Sequence, residues 1–216
     1  MKNKELIKRL LTSIVLIAIV LGSLLINNYT WMGLLVIVFL TSWFEIVNLI
    51  NKIVKKKTLF YIFVSLSFSY LLLFTIVSFE LKVNNYENVI LFILLICVLS
   101  DIGGYIIGKA VGGKKLTKIS PNKTISGSVG SFGFSLLPFL FTNENFLIIN
   151  YSTVGMVLTI SITCQLGDLF ISYLKRLAKV KDTGNLLPGH GGVLDRIDGL
   201  IFAVPVSLIY GLIFLN

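Results

Sequence analysis

The stretch Ser172-Tyr-Leu-Lys-Arg-Leu-Ala-Lys-Val-Lys-Asp-Thr-Gly-Asn-Leu-Leu-Pro-Gly-His-Gly-Gly-Val-Leu-Asp-Arg-Ile-Asp198 is polar, yet apolar runs at 147–171 and 199–215 frame it. It sets Lys175, Arg176, Lys179, Lys181 and Arg196 beside Asp182, Asp195 and Asp198. With them stand the chain's only histidine, His190, and four glycines, Gly184, Gly189, Gly191 and Gly192. Nowhere else are ionisable and glycine residues so concentrated. The pattern reads as a polar, phosphate-sized pocket held against a membrane.

The rest of the chain supports the membrane half of that reading. Its 216 residues are 56% hydrophobic and 13% charged, with mean hydropathy +0.92, whereas soluble domains carry about 25% charged residues. A spanning helix needs roughly 20 apolar residues. Windows of that kind fall at 10–26, 31–50, 59–79, 89–108, 126–141, 147–171 and 199–215. The expected fold is therefore all-α, a polytopic transmembrane protein of about seven helices forming one membrane domain over 1–216. Helices are required because lipid offers the backbone no hydrogen-bond partners, and no barrel-type alternation is present. The basic start and first apolar run lack a small-residue cleavage site, so they read as a retained first helix.

Charge sets the expected orientation. With the N-terminus in the cytoplasm, the N-terminal arm, 51–58, 109–125 and 172–198 share one side and hold 18 of the 19 Lys and Arg residues; only Lys82 lies opposite. That is the positive-inside pattern. The net charge of +9 is thus a topology signal, and no nucleic-acid partner is expected, since the basic residues sit in short gaps between apolar runs. The external loops 27–30, 80–88 and 142–146, with Glu80, Glu87 and Glu144, are assigned no chemistry. Cys97 and Cys164 each lie in an apolar run and read as buried small hydrophobes, with no disulfide framework or thiolate metal site.

Three carboxylates, Glu45, Asp101 and Asp168, fall in apolar runs or at their ends, where each costs on the order of 2.5–3.5 kcal/mol. Glu45, beside Trp43, reads as an interfacial or structural carboxylate. Asp101 opens a segment whose Gly104 and Gly108, at spacing four, allow close helix packing. In loop 109–125, Ser120, Lys123 and Thr124 precede an apolar run, an arrangement that suits phosphate oxygens. The plainer reading of that lysine-rich loop is orientation and contact with anionic headgroups.

Asp168 and Ser172 are four apart and Lys175 three further on, so they share one helix face. Asp195 and Asp198, at spacing three, are expected to begin the seventh helix facing one way. Three carboxylates converging from two helix ends repel one another unless a cation joins them, and Mg²⁺ takes one or two carboxylates with phosphates and water. Lys175, Arg176, Lys123 and Arg196 then neutralise a triphosphate or a lipid phosphate. The alternative is a surface ion-pair cluster at a helix start. His190, between glycines, orients a loop or binds phosphate, a general-base role being the lesser option.

The order S-x-L-K-R-x4-K-D-x-G-x2-L-P-x-H-G-G-x-x-D-R-x-D from Ser172 to Asp198 resembles the signature of the phosphatidate cytidylyltransferases, or CDP-diacylglycerol synthases. Three further segments agree: Gln165-Leu-Gly-Asp168, Asp101-x-Gly-Gly-Tyr105-x-x-Gly108 and Ser120-Pro-Asn-Lys-Thr124-x-x-Gly127. With Trp43-Phe-Glu45 the likeness spans about 40–216, its catalytic signature lying at 165–198. It implies a membrane enzyme that joins CTP to phosphatidate, giving CDP-diacylglycerol and pyrophosphate in phospholipid biosynthesis. It also implies a homodimer. The expected location is the bacterial inner membrane with the site on the cytoplasmic side, the charge pattern setting the side and the abundant Lys, Asn and Ile suggesting a bacterial source.

The same resemblance implies Mg²⁺, with K⁺ as a second ion. Asp168, Asp195 and Asp198 carry over as metal ligands; these three with Lys175 and Arg176 carry over as catalytic residues. Ser120, Lys123, Thr124, Ser172, His190, Gly191, Gly192 and Arg196 carry over as substrate or phosphate contacts. The chain departs from the family at Ile125-Ser126, where Trp-Glu is usual, and is shorter than many members. Two other functions share the same residues: a CTP-dependent polyprenol or phytol kinase, with the same anion and metal needs, and a cation- or proton-coupled transporter lined by Asp101 and Asp168. Against the transporter, the polar residues gather on one side and the halves show no repeat.

Overall fold

The structure is a computed structural model that describes residues 2–141 and 149–214, with side chains for 7–141 and 149–212. The expected external loop 142–146, with Glu144, lies outside the described residues. The helices are α1 Lys2–Ile26, α2 Asn28–Ile53, α3 Lys57–Val83, α4 Glu87–Val111, α5 Ile125–Ser135, α6 Tyr151–Leu177, α7 Leu194–Ile197 and α8 Leu200–Phe214, with a 3-10 turn at Leu137–Phe141. Extended pairing among the described residues is limited to two isolated bridges. The all-helical expectation holds.

Five helices, α1 (from Ile7), α2, α3, α4 and α6, are long and apolar enough to cross a membrane. The other two expected windows are shorter helices. The 126–141 window breaks because Pro138 has no amide to continue the α5 ladder, and the chain tightens into the 3-10 turn. The last window yields the 15 residues of α8. Its expected start at Asp195 is replaced by a separate four-residue helix, α7, and Asp198 falls in the break. Gly199 explains the break: its bare backbone packs on α6, where a Cβ would meet the Cys164 carbonyl oxygen at 3.0 Å.

The chain divides into two compact units, Met1–Glu87 with Leu174–Ile197, and Asn88–Tyr173 with Asp198–Asn216. In the first, Asn27 caps α2 in a reciprocal capping box with Thr30, and α2 and α3 form a packed hairpin. Trp31 Nε1 donates to the Ser78 carbonyl at 3.0 Å, Phe68 meets Phe39 and Trp43 edge-on, and Leu35, Leu49 and Leu71 are buried.

In the second unit, small residues let α4 and α5 touch backbone to backbone: a Cβ on Gly127 would meet the Gly104 carbonyl at 2.7 Å, and one on Gly130 would meet that of Gly103 at 2.8 Å. This is the close packing expected of the Asp101–Gly108 segment. Ser100 and Ser161 share a hydrogen bond of 2.9 Å between α4 and α6. Cys97 and Cys164 are free, buried and close to each other, a proximity their separate apolar runs do not signal.

Candidate active site

Two polar clusters hold the predicted site residues, one in each unit. In the second unit, the turn between α4 and α5 closes on itself through Leu116 N–H to the Lys123 carbonyl (2.8 Å) and Ile125 N–H to the Lys114 carbonyl (3.0 Å). Thr124 caps α5, its hydroxyl accepting the Gly127 amide at 3.0 Å. Ser126, where the resemblance expects a carboxylate, donates to the Gly112 carbonyl and so braces the same turn.

That turn, with α4 and α6, encloses a cavity of about 340 Å³ lined by Asp101, Tyr105, Ser120, Lys123, Gln165 and Asp168 among others. Lys123 forms an ion pair with Asp168, both side chains remaining more than a quarter exposed. Ser172 donates to Asp168 Oδ1 at 3.2 Å, as the spacing of four requires. Ser128, on α5, donates to Gln165 Oε1 at 2.6 Å. Ser120, Lys123, Thr124 and Asp168 thus come together as predicted. Asp101, Ser128 and Gln165 line the same cavity; the sequence reading placed Asp101 and Gln165 in signature segments without a site role and did not single out Ser128. Gln165, three before Asp168, shares its helix face, and that spacing could have found it.

In the first unit, the loop 178–193 follows the end of α6. Arg176, exposed, donates to the Val180 carbonyl at 3.3 Å and closes the helix. Lys175 instead turns inward to Asp195, Nζ to Oδ1 at 2.7 Å, with 11% and 3% of the two side chains exposed. Asp195 Oδ2 accepts the Thr183 amide (2.8 Å), the Thr183 hydroxyl (3.0 Å) and the Gly192 amide (3.0 Å). Burial pushes the Asp195 carboxyl up, but the Lys175 ammonium and the two amides outweigh it and hold it below the ordinary aspartate value. Gly189 and Gly191 have positive φ, +76° and +84°, the left-handed turn glycine allows.

Among the described residues, the hydrogen bonds of His190 go to Ser13 and the Pro188 carbonyl and not to a carboxylate. Its Nε2 shares a 3.0 Å hydrogen bond with Ser13 on α1, while Thr12 donates to the Pro188 carbonyl at 3.1 Å. These two bonds tie the loop to α1. Glu45, on α2, accepts from the Thr183 hydroxyl (2.7 Å), Val193 N–H (3.0 Å) and Leu194 N–H (2.9 Å) and is 2% exposed. These bonds join α2 to the loop and to the start of α7, and the partners lie 138–149 residues away. Arg196 is exposed on α7.

Among the described residues, no three His, Cys, Asp or Glu side chains gather as a metal cluster. Each expected ligand has its own partner: Lys123 for Asp168, Lys175 for Asp195, and the Gly199 amide at 2.9 Å for Asp198. The donor chemistry of the cavity nevertheless fits Mg²⁺. Asp101 and Asp168 bring carboxylates, and serine and amide oxygens surround them, all hard oxygen ligands.

A model of the Cytidylyltransferase family matches residues 54–214. The chain belongs to the cytidylyltransferase family. Curated relatives include the phosphatidate cytidylyltransferase of Staphylococcus aureus, 45% identical over 124 residues, which cover 54% of this chain and 46% of the relative. That of Rickettsia bellii is 43% identical over 57% of each chain, and that of Brucella suis 40% identical over 58% of this chain and 47% of the relative. The chain spans about half the length of the curated relatives it matches. The resemblance found in the sequence is thereby upheld. In this cytidylyltransferase-family chain, Glu45 lies upstream of the matched residues.

Proposed function

We propose that the chain transfers a cytidylyl group from CTP to phosphatidate, giving CDP-diacylglycerol and pyrophosphate. The observation that carries the proposal is the Lys123–Asp168 pair in a polar cavity walled by three apolar helices. The names of its bacterial relatives support the choice of substrates.

A phosphate oxygen of phosphatidate attacks the α-phosphorus of CTP. The new P–O bond forms as the bond to the β-phosphate oxygen breaks, and the electron pair leaves with pyrophosphate. Phosphatidate is ionised near neutral pH, so no strong general base is needed, in keeping with the loop-bound His190. Both reactants are anions, and the ammonium of Lys123 offsets their repulsion. The hydroxyl of Ser120 and the amide of Gln165, which line the same cavity, supply polar contacts for phosphate or base.

Mg²⁺, when bound, stabilises charge developing on the phosphorus oxygens. We assign Asp168, with Asp101 lining the same cavity, to hold it. Asp195 and Asp198 carry over as metal carboxylates, and K⁺ as second ion, on the resemblance alone.

We place the chain in the bacterial cytoplasmic membrane as one seven-pass domain, α5 with its 3-10 turn and α8 completing the five long helices, and as a homodimer. The N-terminus and the site face the cytoplasm, which the one-sided distribution of lysine and arginine supports. The test is purified protein in detergent with labelled CTP and phosphatidic acid. Cytidine retained on lipid with pyrophosphate released is expected. Lipid monophosphate with CDP would replace the proposal by a kinase, and ion uptake without CTP turnover by a transporter.

A further inference from the structure

We propose that Glu45 is a positioning residue for the glycine-rich signature loop, acting on the reaction through Asp195 without touching substrate. The inference rests on the function proposed above. A carboxylate inside an apolar helix and 2% exposed is costly unless satisfied, and all three of its donors come from the loop and the start of α7. It ties Thr183 at one end to Val193 and Leu194 at the other, so one side chain closes the whole Gly184–Gly192 excursion. The loop is cut to fit it: a Cβ on Gly184 would meet Glu45 Oε1 at 2.5 Å, and one on Gly192 would strike both carboxylate oxygens.

The link onward is the Thr183 hydroxyl, 2.7 Å from Glu45 Oε2 and 3.0 Å from Asp195 Oδ2. The Thr183 and Gly192 amides, whose positions Glu45 sets, are also the ones that hold Asp195. Glu45 therefore fixes the carboxylate that the resemblance places in catalysis.

The test is Glu45→Gln, which keeps the shape but turns an NH₂ donor toward loop amides that need acceptors. The expected result is a fall in kcat of roughly 10- to 100-fold, the size seen when outer-shell partners are removed. KM for CTP should stay near wild type, and kcat is taken per folded molecule because unpaired loop amides also lower the melting temperature. Wild-type kcat per folded molecule overturns the inference. If Glu45→Gln does not fold, Thr183→Val and Thr183→Ser decide it: the valine must lose kcat and the serine restore it, and equal rates overturn the proposal. Hydrogen exchange at Val193 and Leu194 gives a readout independent of turnover. Exchange at least ~10-fold faster in Glu45→Gln, with α2 amides unchanged, is required; equal exchange refutes positioning even if the wild-type chain proves inactive on CTP, an outcome that would itself sink the proposed function.

Discussion

The two polar clusters treat their carboxylates in opposite ways. Around Glu45 and Asp195 every carboxylate oxygen has a built-in donor, and both residues are buried. Around Asp101 and Asp168 a cavity remains open, and the Lys123–Asp168 pair is more than a quarter exposed. A saturated carboxylate holds a shape, whereas one beside open volume can exchange its partner for a ligand. The difference supports a positioning role for Glu45 in the first cluster and leaves room for a ligand beside Asp168 in the second.

The comparison breaks most sharply at Asp168. Asp168→Asn keeps the size and removes the charge, so Lys123 loses its partner and a cation its carboxylate. Turnover of CTP should fall by about 10²–10³-fold, the range for removing one transition-state-stabilising group. The melting temperature should barely move, because a pair this exposed contributes under about 1 kcal/mol. Turnover within threefold of wild type, roughly 0.65 kcal/mol of barrier, would remove Asp168 from the site.

The same contrast predicts unequal costs for two lysines. Lys175→Met leaves Asp195 buried without its cation, and breaking such a pair costs about 3–5 kcal/mol. Lys123→Met should cost under about 1 kcal/mol. Chemical unfolding in mixed detergent measures both; equal losses would show that the clusters do not differ in kind.

How far this was legible in the sequence depends on the range of each interaction. Asp168 and Ser172 meet because they are one helical turn apart, and the glycines of α4 announce close packing by their spacing. The α5 cap at Thr124 is likewise local. Glu45 reads as interfacial or structural from its place beside Trp43, yet nothing near it in the chain names Thr183 or Leu194, since a contact across 149 residues leaves no periodicity. The meeting of Cys97 and Cys164 is hidden for the same reason. The break between α7 and α8 escaped because it depends on what Gly199 packs against, although Pro138 could have shortened the fifth window in advance. Lys175, read as a phosphate contact from its face on α6, turns out to be committed to Asp195 by burial that only the folded loop creates.

The smallest effect tests whether Asp195 is held as a carboxylate. Its folded pKa is lowered, because Lys175 and the Gly192 and Thr183 amides outweigh burial. A depressed carboxyl contributes stability that is fully present above its unfolded value, about 3.9, and is lost as pH falls through the lower folded value. The gap in melting temperature between wild type and Asp195→Asn should therefore stay constant from pH 7 to pH 5 and narrow only below about pH 4. Lys175→Met leaves burial with less opposition, so in that background the carboxylate contributes less and the gap at pH 7 should be smaller. A gap that instead grows as pH falls from 7 to 6 in the wild-type background would mean that burial prevails over Lys175 and raises the folded value, so that Asp195 is not held as a carboxylate.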